Sequence, residues 1–146
     1  MTLADALVYA EKEVGCESII ELSTLTGACM VSLGKKMAGV WTENDDLAKE
    51  LEDISKVTGD KTWRMPLEKE YKDQLESKIA DLQNCGDRYG GAITAALFLH
   101  EFVTKKVKFA HIDIAGPVWS DKLGATGYGA KLVTEWIRRQ GLRNNM

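Results

Sequence analysis

Residues 17–30, Glu-Ser-Ile-Ile-Glu-Leu-Ser-Thr-Leu-Thr-Gly-Ala-Cys-Met, pass from an apolar run through small hydroxylated residues into a second apolar run. Ile19, Ile20 and Leu22 read as a short buried strand over 19–22. Residues 23–28 are small or hydroxylated except for Leu25, the composition of a strand-to-helix turn open to a ligand. The run 27–34 then reads as a short buried helix ending at Gly34. A strand feeding a helix is the unit of an α/β fold, and the neighbouring text repeats it.

Upstream, Leu3, Leu7, Ala10 and Val14 recur at i, i+4, i+7 and i+11, which predicts an amphipathic helix closed by Gly15. Thr2 with Asp5 reads as its capping pair. Downstream, 37–42 reads as a strand, and Asn44 caps a helix carrying Leu47, Leu51 and Ile54 up to Gly59. Residues before Pro66 are extended, and a polar helix follows over 68–76. The run 92–99 is apolar on nearly every side apart from Thr94, as in a helix buried all round. Residues 109–116 read as a strand on which His111 and Asp113 share one face. After a loop, the last helix runs over about 128–139, with Leu132, Val133, Trp136 and Ile137 inward. We therefore expect an α/β layer architecture, in a length that suits one domain. The few strands present leave helices more apolar than so small a sheet covers, which points to a partner or a larger sheet.

Composition narrows the function classes. Nineteen Lys and Arg against 22 Asp and Glu give a net charge of −3, which argues against nucleic acid and anionic membranes as partners. No apolar run approaches the ~20 residues of a membrane span. Cys16, Cys29 and Cys85 lack metal-ligand spacing and read as buried reduced thiols. The loop 86–91 is rich in glycine and precedes a helix, a place for an anion or for a tight turn with close packing, and the tight turn is preferred. His111 and Asp113 suggest either an acid–base or metal pair or a hydrogen-bonded core histidine; without a third ligand nearby the core reading is preferred. Asp45, Asp46 and Asp53 read as helix-start and surface charge. The residues alone thus give a ligand turn at 23–28 and no reaction.

Five blocks carry a resemblance: TLADALVYAEK (2–12), STLTGAC (23–29), GGAITAALFLHEFV (90–103), HIDIAGPVW (111–119) and GATGYGAKLVTEW (124–136). In order and spacing they resemble the catalytic domain of the leucyl aminopeptidase family, the cytosol aminopeptidase type, in its plant-like form. The resemblance implies that 1–146 are the C-terminal portion of a catalytic domain with a partial zinc-exopeptidase-like three-layer α/β fold, a mixed sheet between two helical layers. It also implies two divalent metals (zinc, manganese or magnesium), removal of N-terminal residues from peptides, and assembly into hexamers. It places Thr24, Leu25, Thr26, Gly27 and Ala115 in the substrate pocket. The Leu25 carbonyl would accept from an N-terminal amine and the Gly27 amide would donate to a substrate carbonyl. The family's metal ligands are a lysine and several acids, two of them in an Asn-Thr-Asp-Ala-Glu-Gly-Arg segment just before the first block. Here Met1 takes the place of the leucine after that arginine.

The resemblance therefore assigns no catalytic residue and no metal ligand to this chain, and no bound cofactor is expected on it alone. It implies a truncated aminopeptidase-family chain that is inactive in isolation. The alternatives are a non-catalytic structural or interaction module, or one half of a split enzyme. Expected partners are a weakly held peptide N-terminus and a second copy or other chain covering the missing half of the sheet. The expected location is cytoplasm or plastid. Glu21 and Ser23 stand where many members have Asp and Ala, and Asp87 and Tyr89 interrupt a loop commonly richer in glycine.

Overall fold

Period-two alternation divides the strand residues between two faces, and each face meets a different set of helices. The computed structural model describes residues 1–143. The elements run α1 (Thr2–Lys12), β1 (Ser18–Ser23), α2 (Gly27–Leu33), β2 (Ala38–Trp41), α3 (Asp45–Thr58), β3 (Thr62–Arg64), α4 (Gly91–His100), β4 (Lys108–Asp113), β5 (Trp119–Ser120), β6 (Gly124–Ala125) and α5 (Ala130–Arg143). Four strands form a sheet of order β1-β4-β2-β3, and β5 with β6 makes a separate small hairpin. β1 and β4 are parallel, β4 and β2 antiparallel, and β2 and β3 parallel. The sheet is mixed, as expected.

One face carries Ile20, Leu22, Ala38, Val40, Ala110 and Ile112, which pack with Leu47, Leu51 and Ile54 of α3 and Leu132 of α5. The opposite face carries Ile19 and Phe109, which meet α1 and α4 through Leu7, Leu97 and Leu99. Trp41 on the same face meets Cys29 of α2 with Ala92 and Ala96 of α4. This is the three-layer helix/sheet/helix arrangement that the resemblance implies.

Local chemistry sets the ends. The Asn44 side chain accepts from Leu47 N at 2.8 Å, and Gly59 closes α3 at φ 78° in the left-handed region. The buried carboxylate of Asp60 accepts from the Gly129 and Leu132 amides at 3.2 Å each, fixing the start of α5. Asp45 pairs with Arg64, and Asp53 with Lys49, as surface charge.

Several local expectations give way. Met1 precedes the first turn of α1, and Thr2 makes no capping bond. The helix ends at Lys12, three residues before Gly15, which stands at φ 73° within the turn where the Val14 and Cys16 amides reach back to the Tyr9 and Ala10 carbonyls. The polar stretch 68–76 forms the tighter 3-10 helix over Lys69–Leu75, with only Leu75 buried. Ile137 is exposed on the outer side of α5. Of the cysteines only Cys29 is buried; Cys85 is exposed and Cys16 intermediate. The glycine-rich loop packs closely, as preferred, but against the 3-10 segment and not the sheet: a Cβ at Gly86 would meet Gln74 Oε1 at 2.5 Å, and one at Gly90 the Tyr71 ring at 2.9 Å.

If the α3 layer anchors the apolar face, Leu51→Ala should cost about 2–5 kcal/mol, since Leu51 is 1% exposed. Loss of the cap in Asn44→Ala should cost about 1 kcal/mol. Urea unfolding should show both as lower midpoints with an unchanged slope.

Candidate functional site

The parallel strands β1 and β4 end side by side, with Ser23 opposite Asp113. The chain leaves both at the same end of the sheet, where open α/β sheets hold their ligands. From β1 it enters the turn 24–26 and then α2; from β4 it enters the loop 114–116. The two exits are tied by backbone, Ile114 N donating to Ser23 O at 2.8 Å.

Asp113 ties them a second time. Its side chain lies on the α2–α4 face and is 1% exposed. Oδ2 accepts from the Thr26 amide at 2.9 Å and from the Thr26 hydroxyl at 2.7 Å. Oδ1 accepts from the Ala115 amide at 3.0 Å. The Thr26 hydroxyl in turn accepts from Cys29 N at 3.0 Å, capping α2. One buried carboxylate therefore holds the turn, the first turn of α2 and the loop after β4.

The residues singled out by the resemblance fall around this carboxylate. Thr24, Leu25 and Gly27 are exposed, and Thr26 and Ala115 are half-buried. Gly27 is the first residue of α2, so its N–H has no acceptor within the helix. A Cβ at Gly27 would meet nothing within 4 Å, so the backbone there faces open space. By contrast, a Cβ at Gly116 would stand 2.1 Å from the Gly34 carbonyl oxygen, so the loop after Ala115 rests directly on the end of α2. The surface is an open ledge of backbone. The three principal cavities, of about 740, 690 and 570 Å3, lie elsewhere and include none of these residues in their walls.

His111 and Asp113 share a face, as their spacing requires, but they do not form a pair. His111 Nδ1 lies 2.5 Å from Glu21 Oε2, its register partner on β1, and the imidazole is fully buried and stacked 5.5 Å from Trp41. His111 is thus the hydrogen-bonded core histidine that the sequence reading prefers. What that reading did not find is the tie that Asp113 makes to Thr26 and Ala115. Its signal is the Asp-Ile-Ala spacing: an aspartate two residues before a loop amide forms a side-chain turn to that amide.

Asp113 is committed to three N–H and O–H donors, and Glu21 Oε2 meets the imidazole, while Glu21 Oε1 and His111 Nε2 are buried without a hydrogen-bond partner. Among the described residues no three His, Cys, Asp or Glu side chains gather as a metal site would require. The residues described do not fit the metal pair that the resemblance implies, and no step is derived through it. Burial, followed by the nearby Asp113 carboxylate, pushes the Cys29 thiol up to about 11. Its Sγ sits 3.7 Å from the Asp113 carbonyl oxygen as a donor, not as a nucleophile.

A three-layer α/β domain with a backbone ledge where its parallel strands end has the form of part of a catalytic domain. Residues 1–134 match the model of the cytosol aminopeptidase family, catalytic domain, and the chain belongs to that family. A probable cytosol aminopeptidase of Synechococcus sp. (strain CC9605) is 53% identical over 146 residues, covering 96% of this chain and 30% of the relative. The chloroplastic leucine aminopeptidase 2 of Oryza sativa subsp. japonica is 54% identical over 138 residues, covering 94% of this chain and 23% of the relative. A solved structure of a mutant tomato leucine aminopeptidase superposes with a TM-score of 0.92 at 54% identity, over 94% of this chain and 27% of that one. The chain thus spans less than a third of the length of the relatives it matches.

The burial pattern predicts a sharp difference between thiols. In native protein at pH 8 the exposed Cys85 should react with an aromatic disulfide reagent within minutes, while Cys29 should react only on unfolding. Mass mapping of the labelled peptides, with and without urea, reads both.

Proposed function

We propose that this chain supplies the substrate-orienting part of an aminopeptidase site, and that Thr24, Leu25, Thr26, Gly27 and Ala115 hold the N-terminal residue of a peptide. The observation that carries the reading is the ledge itself. Two segments from different strands meet at one end of the parallel pair, with Leu25 and Gly27 exposed and both segments bound to Asp113. In this reading the Leu25 carbonyl accepts from the substrate's ammonium and the Gly27 amide donates to the first carbonyl. Thr24 and Ala115 flank the side chain. Such contacts orient a substrate and supply part of a rate enhancement through positioning. They supply neither an activated water nor charge neutralisation of the carbonyl oxygen. The family's two metals, zinc, manganese or magnesium, supply that chemistry when bound.

The metal-holding groups and the catalytic lysine and arginine then come from outside residues 1–143, and the 146 residues alone orient without hydrolysing. The direct measurement is release of p-nitroaniline from L-leucine p-nitroanilide by the purified 146-residue chain with added manganese or zinc. No turnover above the metal-only blank is expected. Turnover that co-purifies with the chain and is lost in Gly27→Trp, whose side chain would fill the open space at residue 27, would overturn the inactivity.

A second reading rests on β1. It is an edge strand of the described sheet, although Ile19, Ile20 and Leu22 are half-buried and the strand is parallel to its single neighbour. An apolar edge in a parallel arrangement is a template for pairing. It supports a partner for the missing half of the sheet, whether a second copy or a separate chain carrying the catalytic groups. Native mass spectrometry of the chain alone, and co-expressed with a segment ending in the Gly-Arg motif, separates these. A homo-oligomer or a restored active complex supports the reading, and a monomer that ignores the second chain sinks it. Cytoplasm or plastid is the matching location, the rice and tomato relatives being named chloroplastic. Among the described residues no helix is long and apolar enough to cross a membrane.

A further inference from the structure

The two ligand-facing segments belong to strands whose sequences are far apart, with Thr26 and Ala115 separated by almost ninety residues. Backbone pairing brings the strands together but ends at Ile114 N→Ser23 O. Beyond that bond, each segment is a short excursion with its own freedom. What fixes the distance between them is a single carboxyl group, with Thr26 on Oδ2 and Ala115 on Oδ1. The carboxylate is buried and its donors are half-buried, so loss of a contact leaves the carboxylate short of a donor. On the outer side, Gly116 lies against the Gly34 carbonyl and prevents the loop from drifting towards α2.

We propose that Asp113 is the positioning residue of the substrate ledge, setting the gap between the Leu25–Gly27 backbone and Ala115 through Thr26 on one oxygen and the Ala115 amide on the other. The inference rests on the substrate reading given above and adds to it the group that sets pocket width. Asp113 touches no substrate and moves no proton; it acts through the two segments. The chemistry requires a carboxylate. Asparagine offers one oxygen in place of two, and its NH2 meets donors, so one of the two arms must release. Glutamate keeps both oxygens but places them one methylene further out, where Thr26 and Ala115 cannot both reach at hydrogen-bond distance. Threonine at 26 is also specified: the hydroxyl donates to Asp113 while accepting from Cys29 N, so serine can replace it and valine cannot.

The test uses the 15N-labelled 146-residue chain with L-leucinamide as the probe, titrated by the amide shifts of Gly27 and Ala115. Thr26→Ser, which keeps the hydroxyl between Asp113 and Cys29 N, should bind more tightly than Thr26→Val. Thr26→Val should bind about tenfold more weakly than the wild type, the loss of one charge-assisted bond, and Asp113→Asn at least as weakly. Both weakened variants should also lose discrimination between L-leucinamide and L-alaninamide, because the gap no longer has one width. Thr42→Val is the control for a merely structural effect. It removes a buried bond to the Phe109 carbonyl, far from the ledge, and should lower the urea midpoint while leaving leucinamide affinity unchanged.

Wild-type affinity in Asp113→Asn and Thr26→Val, or an equal loss in Thr42→Val, would overturn the positioning role. Hydrogen exchange separates this inference from the reading beneath it. If the wild type fails to saturate with leucinamide, the substrate reading falls, and the positioning role is still decided by the amides. Thr26 or Ala115 should then lose protection in Asp113→Asn at unchanged protection of Ile112, and unchanged protection of both would refute it. Should Asp113→Asn not fold, Thr26→Val against Thr26→Ser carries the same comparison.

Discussion

A carboxylate with almost no access to water has to find its hydrogen bonds inside the protein or not be charged there. Asp113 finds three, all from outside its own strand: the amide and hydroxyl of Thr26 and the amide of Ala115. Much of the local architecture follows from satisfying it. Thr26 is placed where its hydroxyl can donate to the carboxylate and still cap α2, so the strand-to-helix turn and the helix start share one group. The loop after β4 folds back over its own last residue to bring the Ala115 amide down. Gly116 follows because that fold presses the backbone onto Gly34, leaving no room for a side chain.

The sheet is built asymmetrically around this need. Its α3–α5 face is apolar, with Ala38, Val40, Ala110 and Ile112 almost completely buried. The other face becomes more polar towards the carboxyl ends of β1 and β4. Ile19 beside Phe109 gives way to Glu21 beside His111 and then to Ser23 beside Asp113. An apolar residue at 113 would leave the Thr26 amide and hydroxyl and the Ala115 amide without their acceptor. The last member of this polar row, Asp113, supplies the acceptor that the exits of both strands share.

Sequence reading recovered the parts of this that depend on pattern. An apolar run marks β1, alternation marks β4, and capping chemistry places α3 between Asn44 and Gly59. It could put His111 and Asp113 on one face, but a period of two does not reveal partners. Glu21 meets His111 only through the pairing of β1 with β4, and Thr26 meets Asp113 only through the turn; both contacts span almost ninety residues. Ile137 shows the opposite limit. Its helical position fits an inward stripe, but α5 turns Leu132 towards the sheet and leaves Ile137 outside, a matter of docking angle. The stretch Lys69–Leu75 has helical polarity but buries only Leu75, so no apolar face holds it in a full α-helix. Composition alone marks Thr24 to Gly27 as a ligand turn, but their role toward a peptide, and any role for Ala115, is legible only through family resemblance. Small residues in a turn have no chemistry of their own to reveal them.

That the ledge is fully formed in a chain spanning less than a third of its relatives has a physical reason. Every contact that shapes it lies within β1, α2, β4 and the two exits joining them: strand pairing, the Thr26 cap, the Asp113 carboxylate and the Gly116–Gly34 contact. None draws on the outer edge of β1, which pairs with no other strand among the described residues. Orientation of a peptide end and activation of water are separable tasks in a hydrolytic site, the first needing fixed backbone dipoles and the second a concentrated positive charge. A fold that keeps the first task within one parallel strand pair can form that half without the other. In the proposed site, the seam between the two halves runs along the edge of β1.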